Sequence, residues 1–326
     1  MAGPEKCVVA VVAESPEEAP LPDRVEGCEF RLISSAEQLV ADAADADVVL
    51  SWQPRLDWIE RNWGWSPRLR WINAAHAGVD HLMFPGLVRS DVTVTNAGGI
   101  FNDSIAEYVL GLALAACADL PATLRLQARH EWLHRDTRRL AGSEVLVLGA
   151  GGIGRAVTRL MNAAGTRARC LARTRREDSE FGVIGGIDEL PALLPSADFV
   201  VLALPFTPET RHILGPAELG LMRGDAWLVN VGRGALVDEP ALTGALMGGR
   251  IGGAALDVFE TEPLPADSPL WDLPNVIVSP HMSGDARGWE RAMADLFLDQ
   301  LKRYRAGEPL VNVVDKSLGF VPGSRV

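Results

Sequence analysis

Three ionisable side chains suit acid–base chemistry, and each follows a short apolar stretch that is predicted to be a strand. Arg233 lies in Val-Gly-Arg-Gly, Glu262 in Phe-Glu-Thr-Glu-Pro, and His281 in Ser-Pro-His-Met. A histidine exchanges protons near neutral pH, and a neighbouring carboxylate favours its charged form. An arginine binds a carboxylate through two hydrogen bonds and keeps its charge. Together they suit protonation of a carbonyl that receives a hydride from a nicotinamide.

Each of these residues also has a structural explanation when it is taken alone. Arg233 could contact a helix end, Glu262 could be a solvated loop acid, and His281 could be a hydrogen-bonded core histidine. The joint pattern favours a site, because all three follow strand ends, where doubly wound sheets bind ligands. The remaining histidines are interpreted as structural or surface residues, although the loop that holds His76 is a suggestive one.

A glycine-rich segment lies between two predicted strands, Val145–Leu148 and Ala168–Ala172. Its glycines have the G-x-G-x-x-G spacing: Gly149, Gly151 and Gly154. This spacing permits a tight turn, close approach of a pyrophosphate and close packing of helix on strand, and the helix N-terminus binds the anion. A glycine-rich turn without a ligand is the alternative. The strand–helix–strand context favours dinucleotide binding.

The end of the second predicted strand indicates which dinucleotide binds. An acidic residue that holds the ribose hydroxyls is expected there, but Ala172 stands in its place and Arg173, Thr174, Arg175 and Arg176 follow. Without the carboxylate nothing repels a 2′-phosphate, and guanidinium groups bind one well. A solvated basic turn is the alternative. The segment favours NADP, with NAD possible.

Composition limits the classes of partner. The 326 residues are 48% hydrophobic and 23% charged, with a net charge of −12, which argues against nucleic acid and anionic membranes as main partners. The four cysteines are scattered without metal-ligand spacing, so we expect reduced thiols and no metal. Neither a signal sequence nor a long apolar run is recognised. We therefore expect a soluble cytoplasmic protein.

The hydrophobic pattern predicts two α/β domains. Residues 1–97 form the smaller one, completed by 285–326, and 98–284 form a doubly wound parallel sheet of six strands,. The smaller domain is not expected to bind a nucleotide, because an acidic segment and not a glycine loop follows its first strand. A helix, Trp289–Tyr304, lies beyond the large sheet.

A nearly all-apolar helix is predicted from Ser104 to Leu120, with Ser104 and Glu107 as its capping box,. A helix that is apolar on every side must be buried, either between domains or between subunits. An arginine-rich amphipathic arm, Ala122–Leu140, carries Trp132 and leads to the glycine segment.

Seven motifs occur in order along the chain: Ala77–Asp80, Ile105–Glu107, Gly149–Gly154, Leu204-Pro205 with Thr210, Asn230–Gly234, Asp257–Pro263 and Ser279–His281. In this order they resemble the D-isomer-specific 2-hydroxyacid dehydrogenase family along nearly the whole chain. The resemblance implies a Rossmann nucleotide domain with a flavodoxin-like substrate domain. It implies NAD(P)-dependent reduction of a small 2-oxo acid to a D-2-hydroxy acid, and the reverse reaction.

The resemblance also implies residue roles. Arg233 would orient the substrate, Glu262 would be the carboxylate partner, and His281 would exchange the proton. The backbone of Ala77, Gly78 and Val79 would hold the substrate carboxylate, and the pocket would be shaped by Trp52, Gln53 and His76.

The cofactor site implied by the motifs is larger. It comprises Ser104, Gly149, Gly151, Gly152, Ile153, Gly154, Arg173, Thr174, Arg175, Leu204, Pro205, Thr210, Val231, Gly232, Asp257 and Ser283. Within it, Asp257 would contact the nicotinamide amide. Ala172 departs from the acidic residue of many relatives and resembles the NADP-preferring glyoxylate/hydroxypyruvate reductase branch. The segment 104–140 would form a homodimer.

An alternative of a different class remains open at this point. A dinucleotide-sensing scaffold of the co-repressor type has the same fold, and fold does not determine function. The intact set of Arg233, Glu262 and His281 favours the enzyme.

Overall fold

The computed structural model describes residues 6–22, 24–52 and 57–322, in two compact units. The first unit runs to Ile100 and resumes at Arg287, and the second is Phe101–Ala286. Each unit contains one sheet.

The first unit contains a five-stranded parallel sheet. Its elements up to Ile100 are β1 (Cys7–Val12), β2 (Cys28–Ile33), α1 (Ala36–Asp42), β3 (Val48–Ser51), α2 (Trp58–Arg61), β4 (Trp71–Ala74), α3 (Pro85–Val88) and β5 (Thr93–Thr95). The strand order is β2-β1-β3-β4-β5, and all neighbours are parallel. This is the flavodoxin-like order, so the predicted fold of this unit is confirmed.

The second unit contains the larger sheet. Its elements are α4 (Asn102–Cys117), α5 (Leu120–Ala128), β6 (Glu144–Leu148), α6 (Gly152–Ala163), β7 (Arg167–Ala172), β8 (Arg176–Asp178), β9 (Gly182–Gly186), α7 (Leu190–Leu193), β10 (Phe199–Leu202), α8 (Pro216–Leu221), β11 (Trp227–Asn230), α9 (Glu239–Met247), β12 (Gly253–Leu256) and β13 (Val276–Val278). The strand order, β13-β12-β11-β10-β6-β7-β9-β8, contains the doubly wound pattern that reverses at the first strand, β6.

The prediction of six strands in this sheet was wrong, since eight are present. The six predicted strands are all parallel. The two missed strands are β8 and β9, which form an antiparallel hairpin at the sheet edge. β8 has charged residues at every position and β9 has three glycines, so neither shows the apolar run that marks a buried strand.

The predicted capping box of the apolar helix was also wrong. α4 begins at Asn102, with Phe101 at the N-cap position. Ser104 lies inside the first turn and its hydroxyl donates to the carbonyl of Phe101. The helix ends at Cys117 and not at Leu120, because Asp119 adopts a φ of 50° that a right-handed helix does not allow,.

No single helix among the described residues is long and apolar enough to cross a membrane. α4 and α5 meet that test only as a pair, and the pair is bent by 65°.

After the second unit, the chain returns to the first through α10 (Trp289–Ala306). Met293, Phe297 and Leu301 form the buried side of this helix. The Phe297 ring stacks on Trp71 of β4 at 5.5 Å between centroids. A C-terminal helix is therefore part of the core of a unit whose strands all come from the first hundred residues.

Candidate active site

The glycine segment adopts the shape of a dinucleotide loop between β6 and α6. Gly149 has a φ of 121°, which L-residues rarely adopt, and its N–H donates to the Leu171 carbonyl at 2.9 Å. A Cβ on Gly154 would collide with the Gly149 carbonyl, so only glycine lets α6 pack this closely on the strand. Gly151 is the N-cap of α6, and the free N–H groups of its first turn suit a pyrophosphate.

The arginine turn, defined here as residues 173–175, follows Ala172 at the end of β7 and is exposed. The guanidinium of Arg175 pairs with Glu189, at 2.9 Å between Nη1 and Oε1. Arg173 forms no ion pair with any described residue. Its charge does help to lower the pKa of Glu209, after the larger effects of the Thr207 hydroxyl and the Glu209 backbone N–H. Arg173 is therefore the member of the turn whose guanidinium is most available to a 2′-phosphate.

Three neighbouring strands place Arg233, Glu262 and His281 at one edge of the sheet. β11, β12 and β13 are adjacent and parallel. Each of the three residues follows the carboxyl end of one of these strands. The sheet topology therefore brings together residues that lie up to 48 positions apart in sequence.

Glu262 and His281 are in direct contact. Nδ1 of His281 lies 2.8 Å from Oε2 of Glu262, and the other carboxylate oxygen accepts from the Phe259 N–H at 3.0 Å. Because an ionised carboxylate only accepts hydrogen bonds, the proton of a neutral His281 lies on Nδ1. The glutamate side chain is 18% exposed and the histidine 42%, so the imidazole remains accessible.

Asp257 is fully buried and holds the segment that carries His281. Its Oδ1 accepts from the Ser279 hydroxyl at 2.6 Å and from the Met282 N–H at 3.0 Å. Its Oδ2 accepts from the Ser283 N–H at 2.9 Å. His281 has a φ of 54°, a strained conformation of the kind found at functional sites, and these bonds on both sides stabilise it. The predicted contact of Asp257 with the nicotinamide amide stays a prediction.

Asn230 shapes the turn that presents Arg233, a role the sequence interpretation missed. Its buried side chain accepts from the Gly232 N–H at 3.1 Å and donates to the Arg233 carbonyl at 2.9 Å. The Arg233 side chain is half-buried, and its Nη1 donates to the Gly232 carbonyl at 2.8 Å. The signal that could have revealed Asn230 is a lone polar residue that ends an apolar strand.

The other predicted cofactor residues of this unit follow strand ends or border α4. Leu204 and Pro205 follow β10, and the Thr210 hydroxyl donates to the Pro205 carbonyl at 2.9 Å. Val231 and Gly232 follow β11 and are buried. The Ser104 hydroxyl lies 3.1 Å from the Gly284 carbonyl, next to buried Ser283.

The predicted substrate residues lie in the first unit. The Ala77 carbonyl accepts from Nδ2 of Asn96 at 2.6 Å, and the rings of His76 and His81 are 5.4 Å apart. Trp52 is buried and stacks on Trp289 at 5.9 Å, so much of its indole packs in the core. Gln53 lies outside the described residues.

The described part of the chain contains no set of metal ligands. There, no group of three or more histidine, cysteine, aspartate or glutamate side chains could hold a metal ion.

Comparison with known proteins agrees with this geometry. The profile of "D-isomer specific 2-hydroxyacid dehydrogenase, NAD binding domain" matches residues 110–283. A glyoxylate reductase of Aeropyrum pernix is 34% identical over 86% of this chain and 82% of its own length. A D-3-phosphoglycerate dehydrogenase of Methanocaldococcus jannaschii is 35% identical over 86% of the chain, which spans about half (53%) of that relative.

A solved structure is similar over almost the whole chain. It is the NADPH-dependent glyoxylate/hydroxypyruvate reductase of Sinorhizobium meliloti in complex with NADP and sulfate. Its TM-score is 0.84 at 29% identity, and the alignment covers 97% of this chain and 100% of that one.

The Rossmann sheet, the glycine loop and the histidine–glutamate pair define a pyridine-nucleotide-dependent oxidoreductase. The match to a family profile narrows this class of enzyme to one family. The chain belongs to the D-isomer specific 2-hydroxyacid dehydrogenase family, whose members bind NAD(P). A dinucleotide-sensing scaffold is not favoured.

Proposed function

We propose that the protein reduces a small 2-oxo acid to the D-2-hydroxy acid, with His281 as the proton donor. The observation that carries this proposal is the contact of 2.8 Å between His281 Nδ1 and Glu262 Oε2, at the sheet edge that also holds Arg233. In that arrangement His281 is the acid, Glu262 stabilises its charge, and Arg233 is the cation that binds the substrate carboxylate.

The chemistry divides between cofactor and protein. When bound, the reduced nicotinamide supplies the hydride for the carbonyl carbon. The glycine loop fits such a cofactor, because only glycine at position 154 allows the close approach to the Gly149 carbonyl, and the N–H groups of the first turn of α6 suit a pyrophosphate. Protonated His281 keeps Nδ1 on Glu262 and donates its Nε2 proton to the carbonyl oxygen. Arg233 binds the substrate carboxylate and polarises the carbonyl.

The predicted substrate residues, which lie in the first unit, keep their roles in this proposal. Under it, residues 1–97 and 285–326 are the substrate domain and 98–284 are the nucleotide domain. The backbone of Ala77–Val79 would hold the carboxylate, and Trp52 and His76 would limit the size of the side chain accepted.

The first test is a steady-state assay of NADPH oxidation with a panel of 2-oxo acids such as glyoxylate, hydroxypyruvate and phenylpyruvate. We expect turnover with at least one of them. For hydroxypyruvate and phenylpyruvate, whose products are chiral, we expect the D-enantiomer by chiral chromatography, whereas glyoxylate gives achiral glycolate. A protein that binds NADPH but turns over no member of the panel would contradict the proposal.

We propose that NADP is the preferred cofactor. Ala172 offers no carboxylate at the end of β7, and Arg173 is exposed beside it. The similar Sinorhizobium reductase was solved with NADP bound, which supports the proposal. Arg175 contributes less than the sequence predicts, because Glu189 already binds its guanidinium.

The second test compares the dissociation constants (Kd) of NADPH and NADH by fluorescence titration. One charge-assisted hydrogen bond to the 2′-phosphate is worth ~1.5 kcal/mol at the lower end of the usual range, or about tenfold in Kd. We expect NADPH to bind at least that much more tightly, with a gap that shrinks as salt is added. Arg173→Ala should remove most of the gap, and Ala172→Asp added to it should reverse the preference.

Arg169→Ala is a matched control for that titration. Arg169 lies on β7, the strand that precedes the arginine turn, and pairs with Glu144, a residue of β6 at the opposite end from the loop. Its loss should leave the gap unchanged. Equal or tighter binding of NADH by the wild type would refute the NADP preference.

We propose further that the enzyme is a cytoplasmic homodimer that associates through residues 104–140. Large apolar side chains are exposed on this segment, among them Leu124 and Leu133, and Trp132 is 98% exposed. Leu110, Leu114 and Leu140 of the same segment line a groove of about 350 Å³. Exposed apolar patches of this kind indicate an interface.

A further inference from the structure

Arg155 is a buried cation that no step of the proposed chemistry uses. It is the residue that follows Gly154, on the first turns of α6, and it is 9% exposed. Its guanidinium makes two hydrogen bonds to Asp178, at 2.6 and 3.1 Å, and a third to Glu180 at 2.8 Å. The Phe181 ring lies 4.9 Å below the guanidinium carbon.

These contacts join the helix to the hairpin of β8 and β9. Asp178 is the last residue of β8, and Glu180 and Phe181 lie in the turn that follows. The Arg155 guanidinium, together with the N–H groups of Glu180 and Phe181, holds the pKa of Asp178 well below its usual range. The ion pair is thus formed throughout the physiological pH range.

The same hairpin carries the arginine turn. The turn leaves β7 at Ala172 and enters β8 at Arg176, three residues after Arg173. At the β7 end, Ala172 pairs with Gly186 of β9. At the far end of β8, Asp178 is bound by Arg155. The short span between these two anchors leaves the turn little freedom.

We infer that Arg155 is a positioning residue for cofactor choice: it holds the arginine turn at a set distance from the helix N-terminus, so that one dinucleotide reaches both. The inference rests on the proposed function, because it requires the turn to bind the 2′-phosphate. Ordering the turn before binding lowers the entropic cost of the contact. The benefit reaches NADPH and not NADH, which lacks the 2′-phosphate.

The test measures Kd for NADPH and NADH in Arg155→Met, which keeps an apolar chain over Phe181 but loses the ion pairs. We expect the NADPH preference to fall about five- to tenfold, within the range seen for residues that act through a network. NADH affinity should stay within about twofold. Arg155→Lys, which keeps the charge but not the two-pronged contact, should fall in between and serves if the Met variant does not fold.

Arg159→Met is the matched control. Arg159 lies one turn along α6 and pairs with Glu180 at 2.7 Å, but its side chain is 56% exposed. This variant should keep the wild-type preference. In the Arg173→Ala background, Arg155→Met should have no further effect on the ratio of the two Kd values, since it acts through the turn.

The outcomes separate the inference from the function it rests on. A wild type without NADPH preference overturns the proposed cofactor choice, and the inference with it. A wild type that prefers NADPH while both Arg155 variants keep the same ratio overturns the inference alone. Equal losses of NADPH and NADH affinity would show a structural role only and would also overturn it.

Discussion

His281→Asn is expected to lower kcat for carbonyl reduction by at least about 100-fold, the usual contribution of a positioned acid. The amide is similar in size and can still hydrogen-bond Glu262, but it cannot transfer a proton. The Kd of NADPH should stay within about twofold, because acid–base catalysis acts on the chemical step and not on cofactor binding. Single-turnover reduction followed by NADPH absorbance measures the chemical step directly.

Glu262→Gln separates the roles of the two members of the pair. It keeps an oxygen for the Nδ1 proton but loses the charge that stabilises the imidazolium, so kcat should fall less than in His281→Asn. The two variants should not be additive, because they disrupt one unit. Near wild-type kcat in His281→Asn would contradict the assignment of the proton donor.

Arg233→Ala is expected to lower kcat/KM for 2-oxo acids by about 100-fold or more. Two charge-assisted hydrogen bonds at ~1.5 kcal/mol each amount to about 3 kcal/mol, which corresponds to that factor. Arg233→Lys should recover only part of the loss, because an ammonium group cannot form the two parallel bonds of a guanidinium. The measurement is kcat/KM over a substrate series at saturating NADPH.

Arg223→Lys provides a control for that series. Arg223 is in the same unit and binds the carboxylate of Asp225. Both residues precede β11 and so lie before the amino end of the strand whose carboxyl end carries Arg233. Its kcat/KM should match the wild type. Full activity of Arg233→Lys would show that the two-pronged contact with the substrate is not required.

Local sequence determined the nucleotide loop and the strand ends. Gly149 and Gly154 identify the loop, because only glycine permits the φ of Gly149 and the close approach of Gly154 to the Gly149 carbonyl. Arg233, Glu262 and His281 were recognisable because each comes within a few residues of the end of an apolar run. Parallel strands that are neighbours place their carboxyl ends at one edge. The position of these residues at that edge therefore does not depend on the conformation of the loops.

Helix termini were less predictable. Ser104 and Glu107 have the spacing of a capping box, but Asn102 and Asp103 precede them and are equally suited to a helix start. Several start positions differ little in local energy, so packing of the helix decides among them.

The hairpin of β8 and β9 could not be predicted for a related reason. Its charged and glycine-rich residues acquire strand structure only by pairing with each other and with β7.

Side-chain partners were decided by the tertiary structure alone. Asp257 binds the N–H groups of residues 25 and 26 positions on, and Arg155 binds Asp178 from 23 positions away. The pair of Glu262 and His281 is the exception, since the family resemblance implied it. A carboxylate or guanidinium has many candidate partners in a sequence. Which one it meets depends on the course of the loops between strands, where no periodic pattern constrains the backbone. The sequence therefore determined which residues stand at the site, and the fold determined which of them hold one another.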